Sequence, residues 1–313
     1  MDWIEIVMTQ DLQHPQHTQQ VVQTFNPAPS LPELRLPKNA TDAHVHVFGP
    51  HAVFPFAPDR QVTPQDAPKE ALFAMHEKMG IERCVIVQSA LHGQDNRVLE
   101  DALRARPGRY LGVALLPTHV SDAELKRLAA LGVRGVRFNF MAHLGKPEDS
   151  IEQIIDFTHR LKPVGMHLQV HFQSQLIHDL SLHFKKSAVP VVIDHMARVD
   201  AELGDSHPDF AALVQLLKSP QFFVKVSGID RVNARFPFQD PSEPYRAGIA
   251  LARGLVQTYP HQCVWGTDWP HPNHTHIPDD GVLVQALSEI APSPEAMERL
   301  LASNPQHLYD FWD

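Results

Sequence analysis

Short runs rich in Val, Ile, Leu and Phe recur along this chain at residues 42–47, 84–88, 111–115, 135–138, 167–172, 191–194, 222–226 and 263–266. Most are followed by a stretch with helical spacing, for example 95–105, 121–131, 150–161, 209–218 and 245–259. Strands that alternate with helices build βαβ units on a parallel sheet. Eight such units in one domain predict a closed (β/α)8 TIM barrel. The rival is an open doubly wound sheet, but no Gly-x-Gly-x-x-Gly follows the first run to support dinucleotide binding there. A barrel of roughly 250 residues fits within the 313 available and leaves room for an extension.

Residues 1–38 are rich in Gln, Thr and Pro and show no sustained period, so they read as an N-terminal extension that wraps the surface or stays mobile. The barrel then occupies 39–313. Ser121 ahead of Asp122 and Glu124 is a helix start signal. The segment from 292 onward, with Met297, Leu300, Leu301 and Leu308 at helical spacing, is expected to close the chain as a helix packed on the outside.

Composition narrows the partners. Hydrophobic residues at 43% and charged ones at 20% suit a globular protein with a sizeable core. A formal net charge of -9 offers no basic footprint for nucleic acid. No apolar stretch reaches membrane-spanning length, and the N-terminus lacks the basic-then-apolar order of a signal peptide. Cys84 and Cys263 sit inside apolar runs, where a small buried hydrophobe is the expected role, in keeping with a reducing cytosol. The chain reads as a cytoplasmic protein acting on a small molecule, and a homo-oligomer is compatible with it.

In such a barrel the active site lies at the C-terminal ends of the strands, so a polar residue that terminates an apolar run is a candidate. That filter removes most of the 21 histidines and keeps His44, His46, His171 and His195, together with Asp268. His44 and His46 are two apart, so an extended strand points both to one face, where two imidazoles can grip one ion. An isolated His-x-His is more often a packed pair, but here partners follow on other strands. His171 ends His167-Leu168-Gln169-Val170-His171 and offers a third nitrogen for Zn, Mn or Fe, with a substrate hydrogen bond as the lesser alternative. His167, deeper in the strand, reads as core.

His195 ends Val191-Val192-Ile193-Asp194-His195, and strand alternation sends one of its last two residues inward and the other outward. His195 is taken inward as an acid, base or carbonyl-polarising group, with Asp194 as a structural anchor. Asp268 lies in Trp265-Gly266-Thr267-Asp268-Trp269-Pro270, where glycine and proline enforce a bend beside a carboxylate. Such an Asp is usually a cap, but beside four strand-end histidines it can touch both a metal and a water and take the water's proton. Arg137, near the mouth of the fourth run, and Arg231, just beyond the seventh, suit a substrate carboxylate, although a surface ion pair fits each alone equally well. Arg134 is the poorer candidate.

These segments resemble the amidohydrolase superfamily, and within it the branch of 2-pyrone-4,6-dicarboxylate lactonase and related metal-dependent lactone hydrolases. The likeness is carried by Thr41-Asp42-Ala43-His44-Val45-His46-Val47-Phe48-Gly49-Pro50, His92-Gly93-Gln94-Asp95-Asn96-Arg97, residues 132–139, Asp194-His195-Met196 and residues 265–273. It implies the same barrel and hydrolysis of an acidic lactone from aromatic-compound breakdown. The implied site is His44, His46, His195 and Asp268, with Arg137, Arg231, His271 and Asn273 near the substrate and His92 in a shared segment.

The departures from that branch are informative. Its pyrone dicarboxylate lactonases work without a tightly bound metal and carry a tyrosine where this chain has His171. Metal-dependent members, zinc decarboxylases included, carry a histidine there. The expectation is therefore one divalent ion per chain, zinc with manganese as the alternative, held by His44, His46, His171 and Asp268. An arginine of that branch stands here as His143, and Ala90 and Val62 stand where hydroxyl groups belong. A lactone with one carboxylate or a sulfonate fits better than the dicarboxylate pyrone. The alternatives are a metal-independent lactonase, a zinc decarboxylase on the same scaffold and a binding protein without turnover.

Overall fold

In the computed structural model, which describes residues 21–60, 62–141, 148–232, 245–272 and 276–312, eight parallel strands form one sheet in consecutive order. They are β1 Thr41–Val45, β2 Arg83–Val87, β3 Tyr110–Ala114, β4 Val133–Phe140, β5 His167–Phe172, β6 Val191–Ile193, β7 Phe222–Lys225 and β8 Cys263–Val264. The (β/α)8 expectation holds, with strand ends shifted by a few residues at most.

Closure depends on one small residue. Ala43 N donates to Trp265 O at 2.8 Å, Asp268 N to His44 O at 2.8 Å, and His46 N to Trp269 O at 2.7 Å. A Cβ on Gly266 would stand 2.5 Å from His44 N and 2.9 Å from Asp42 Oδ1, so only glycine lets the last strand come this near the first. Asp42 ties the seam by accepting from His44 N at 3.1 Å, Thr267 N at 3.0 Å and Thr267 Oγ1 at 2.6 Å. The segment bearing His44 and His46 is thereby stitched to the one bearing Asp268.

Helices cover the sheet: α1 Lys69–Met79, α2 Arg97–Ala105, α3 Asp122–Leu131, α4 Ile151–Leu161, α5 Ile177–Phe184, α6 Pro208–Leu217 and α7 Arg246–Thr258. α3 starts as read, with the Ser121 hydroxyl accepting from Glu124 N at 3.2 Å. α4 has a capping box in which Ser150 and Gln153 serve each other's backbone N–H. α2 buries Val98, Leu99, Ala102 and Leu103, the apolar face of an amphipathic helix on the sheet. Truncating one such side chain, Leu99 for instance, costs about 2–5 kcal/mol.

The C-terminal segment departs from expectation. After Pro294–Glu298 and Asn304–Tyr309 the chain does not stay outside; Tyr309 and Phe311 pack with Ala43, Val85, Val87, Leu111, Val113 and Val264. Arg134, near the start of β4, donates through Nε to Tyr309 O at 3.1 Å. Two aromatic rings thus plug the N-terminal end of the barrel. The helical period was readable, but the apolar demand of a barrel interior at its lower end decided where the aromatics went.

Of the extension, residues 21–38 lie against the barrel. Val21–Val22 pairs with Thr63–Pro64, Phe25 packs on Trp269 with ring centroids 5.0 Å apart, and Ser30 N donates to Asp279 at 3.0 Å. Both cysteines are buried and free. Among the described residues no helix is long and apolar enough to cross a membrane.

Candidate active site

The C-terminal ends of the strands surround a cavity of about 310 Å³ lined by His46, Arg137, His171, His195, Arg231 and Asp268, among others. At its floor three imidazoles converge on one carboxylate oxygen. Asp268 Oδ1 lies 3.3 Å from His46 Nε2, 3.5 Å from His44 Nε2 and 3.9 Å from His195 Nε2. Asp268, four residues past the end of β8, takes a left-handed backbone conformation, φ 66°. Its other oxygen contacts Arg231 Nη2, whose guanidinium also donates to Pro272 O at 3.3 Å.

Each histidine is oriented by a second group. His46 Nδ1 donates to Val87 O at 2.7 Å, and His171 Nδ1 donates to Asn139 Oδ1 at 3.3 Å. His44 Nδ1 lies 3.3 Å from Asp194 Oδ1 and 3.3 Å from Lys225 Nζ. An ammonium only donates, and Lys225 donates to Gln169 Oε1 at 2.9 Å, so the Asp194 carboxylate is the acceptor for a His44 Nδ1–H. His195 Nδ1 shares a 2.9 Å hydrogen bond with the Ser227 hydroxyl. Burial, and after it the Lys225 ammonium, lowers the His44 pKa to about 3. Burial first also holds His171 and His195 well below the ordinary histidine value, so these rings are neutral and keep a lone pair.

Below this layer lies a buried polar cluster that sequence reading missed in part. Asp194 accepts from Arg137 Nε at 2.8 Å and Gln169 Nε2 at 3.1 Å, and it faces Lys225 Nζ at 3.6 Å. Burial opposes ionisation of Asp194, but Arg137, His44 and Lys225 outweigh it and hold the carboxyl well below its usual range. Alternation had sent Asp194 away from His195. Both are in fact buried at the site, because β6 stops at Ile193 and His195 to Arg198 turn left-handed, with φ of 47°, 52°, 55° and 57°. Alternation holds only while the backbone stays extended. Lys225 had a readable signal, the one charged residue within the apolar run 222–226.

Other expected residues fall elsewhere. His92 stands behind the lining, against Phe56 at 4.7 Å between ring centroids, with Nδ1 donating to Pro55 O at 3.1 Å. His271 is buried and donates from Nε2 to Asp280 Oδ1 at 3.0 Å, while its neighbour Pro272 lines the cavity. His143 and Asn273 lie outside the described residues. His167 stays in the core, 5.4 Å from the Tyr309 ring.

The donor set fits a divalent ion. His44, His195 and Asp268 offer ligand atoms within 4.8 Å of one another, and His44 Nε2, although buried, has no hydrogen-bond partner. His46 and His171, both expected among the ligands, are not in that compact group: His46 Nε2 still lies 3.3 Å from Asp268 Oδ1, whereas the His171 ring stands 5.3 Å from His195, which takes the position nearer Asp268. Several imidazole nitrogens with one carboxylate oxygen, backed by acceptors behind the rings, make a transition-metal donor set.

The barrel and its strand-end His and Asp groups define a hydrolase of the amidohydrolase superfamily. The chain belongs to the amidohydrolase family, whose model matches residues 41–311. Among its relatives, 2-pyrone-4,6-dicarboxylate hydrolase of Comamonas testosteroni is 40% identical over 287 residues, covering 90% of this chain and 93% of that protein. The 4-sulfomuconolactone hydrolase of Hydrogenophaga intermedia is 35% identical over 277 residues, covering 88% and 89%. A crystal structure from Pseudomonas putida, described as a 2-pyrone-4,6-dicarboxylic acid hydrolase, is 31% identical and superposes with a TM-score of 0.75 over 89% of this chain and 99% of its own.

Proposed function

We propose that this enzyme opens the ring of a small lactone bearing a carboxylate or sulfonate, adding water across the ester bond, in the cytosolic breakdown of aromatic compounds. One observation carries the reading: a buried carboxylate at the meeting point of three histidine Nε2 atoms, at the floor of a cavity that also exposes arginines. The two relatives named for acidic lactones support the substrate class.

In this reading Asp268 accepts the proton of the attacking water and returns it to the ring oxygen as the acyl–oxygen bond breaks. Arg231, in contact with its second oxygen, holds the carboxylate with its first oxygen turned toward the water. The neutral ring of His195 receives Ser227 on Nδ1; when Ser227 donates, the Nε2 proton points at the carbonyl oxygen where charge develops. Zinc, with manganese as the alternative, would be held by His44, His46 and Asp268, whose Nε2 and Oδ1 atoms lie 3.5 and 3.3 Å apart, leaving the His195 Nε2 proton for the carbonyl; it would polarise the water and the carbonyl.

A metal-independent form of the same hydrolysis is the second reading. It is favoured by Arg231 on Asp268 and Lys225 beside His44, cations that already balance the local carboxylates. The test is a panel of acidic lactones followed by acid release at constant pH, on protein with measured metal content and after chelation. Activity that survives complete metal removal selects the second reading. Carbon dioxide release without acid-forming ring opening would point instead to a decarboxylase and defeat both.

A further inference from the structure

Among the described residues three guanidinium groups line the cavity, and two of them already face protein carboxylates. Arg137 Nε donates to Asp194, and Arg231 Nη2 contacts Asp268. The third, Arg198, has neither a hydrogen bond nor an ion pair among the described residues, yet it is partly buried and opens onto the same space as His195 and Asp268.

Arg198 reaches the cavity through an unusual backbone. Were β6 continued in extended form, residue 198 would stand about 16 Å beyond Ile193, at roughly 3.3 Å per residue. Instead four consecutive non-glycine residues adopt positive φ, and Arg198 lines the same cavity as His195. Such conformations are strained for residues that carry a Cβ and persist only where surrounding contacts enforce them. Here the enforcing contacts are the His195–Ser227 hydrogen bond and the burial of Met196 and Ala197, both within 1% of full burial. Burial and then the neighbouring Arg231 bring the Arg198 pKa down to about 10, which leaves it cationic at neutral pH beside a second cation.

We propose that Arg198 is the anion receptor of this cavity, a specificity-determining residue that forms a forked pair with the acidic substituent of the substrate. The proposal rests on the acidic-lactone reading and sharpens it. Arg137 becomes chiefly a tie to Asp194, and selection for an acidic group passes to a residue four positions past a strand end. A guanidinium suits this role because its planar fork matches carboxylate and sulfonate oxygens alike.

The experiment measures binding rather than turnover. Isophthalate and 3-sulfobenzoate, planar acids that cannot be hydrolysed, are titrated calorimetrically into wild type, Arg198→Met and Arg198→Lys, with folding checked by thermal melting. Arg198→Met is expected to weaken both ligands roughly tenfold to hundredfold, the loss of one charge-assisted pair. Arg198→Lys recovers part of the loss. Equal affinity in wild type and a folded Arg198→Met, or no binding of either acid to wild type, overturns the proposal. Should Arg198→Met fail to fold, Arg198→Gln is read by the same criterion. Failure of the lactonase reading is seen separately, as wild type that binds the acids but releases no acid from any lactone.

Discussion

His46 Nδ1 donates to the Val87 carbonyl at 2.7 Å, and the same ring turns Nε2 toward Asp268 Oδ1 at 3.3 Å. A carbonyl only accepts, so the neutral ring carries its proton on Nδ1 and its lone pair on Nε2, the tautomer a metal ligand needs. The purified enzyme is therefore expected to bind one divalent ion per chain. His46→Ala should weaken zinc affinity more than about 100-fold, beyond the 10–100-fold typical of losing only an outer hydrogen-bond partner. Competition with a chromophoric chelator measures it, and unaltered affinity would remove His46 from the site.

Asp268 carries the proposed proton transfer. Asp268→Asn keeps the shape and can still meet Arg231, but it cannot accept a proton at neutral pH. We expect kcat for lactone opening to fall by roughly 10²–10⁴, the range general base catalysis supplies. Steady-state kinetics on a folded variant decides this; retention of more than about a tenth of the activity would assign the base elsewhere.

Asp194 neutralises two buried cations, Arg137 at 2.8 Å and Lys225 at 3.6 Å, and none of the three is more than 5% exposed. Asp194→Ala leaves both charges in the interior uncompensated, and the expected cost is about 3–5 kcal/mol by urea unfolding. Lys225→Met should cost clearly less, because Arg137 still balances the carboxylate. The reverse order would mean that Lys225, rather than Asp194, organises the cluster.

Much of this site was readable from strand ends. The spacing of His44 and His46 and the bend after β8 bring three side chains to one centre, because backbone geometry alone decides where they point. The rest depended on departures from regular backbone. Asp194 and His195 are both buried because the chain turns left-handed after Ile193, and no glycine or proline from His195 to Arg198 announces that turn. Arg198 was invisible for the same reason. Tyr309 and Phe311 entered the barrel because its lower interior needed filling from elsewhere in the chain, a tertiary demand that a helical period does not encode.

His271 and Asp280 are both fully buried, and His271 Nε2 donates to Asp280 Oδ1 at 3.0 Å. Burial alone would lower the His271 pKa, but the Asp280 charge and its hydrogen bond outweigh burial and raise it above the usual 6.5. A base whose pKa is higher folded than unfolded holds its proton more tightly in the native state. The stability it contributes is thus fully present below about pH 6.5, its unfolded value, and is lost as pH rises through the raised folded value. Asp280→Asn removes the attraction and with it this part of the slope. Urea midpoints at pH 6 and at pH 8 to 9 should therefore converge between wild type and Asp280→Asn at the alkaline end and diverge at the acidic end. A constant gap across that window would show that the pair is a neutral hydrogen bond and that His271 is not charged in the fold.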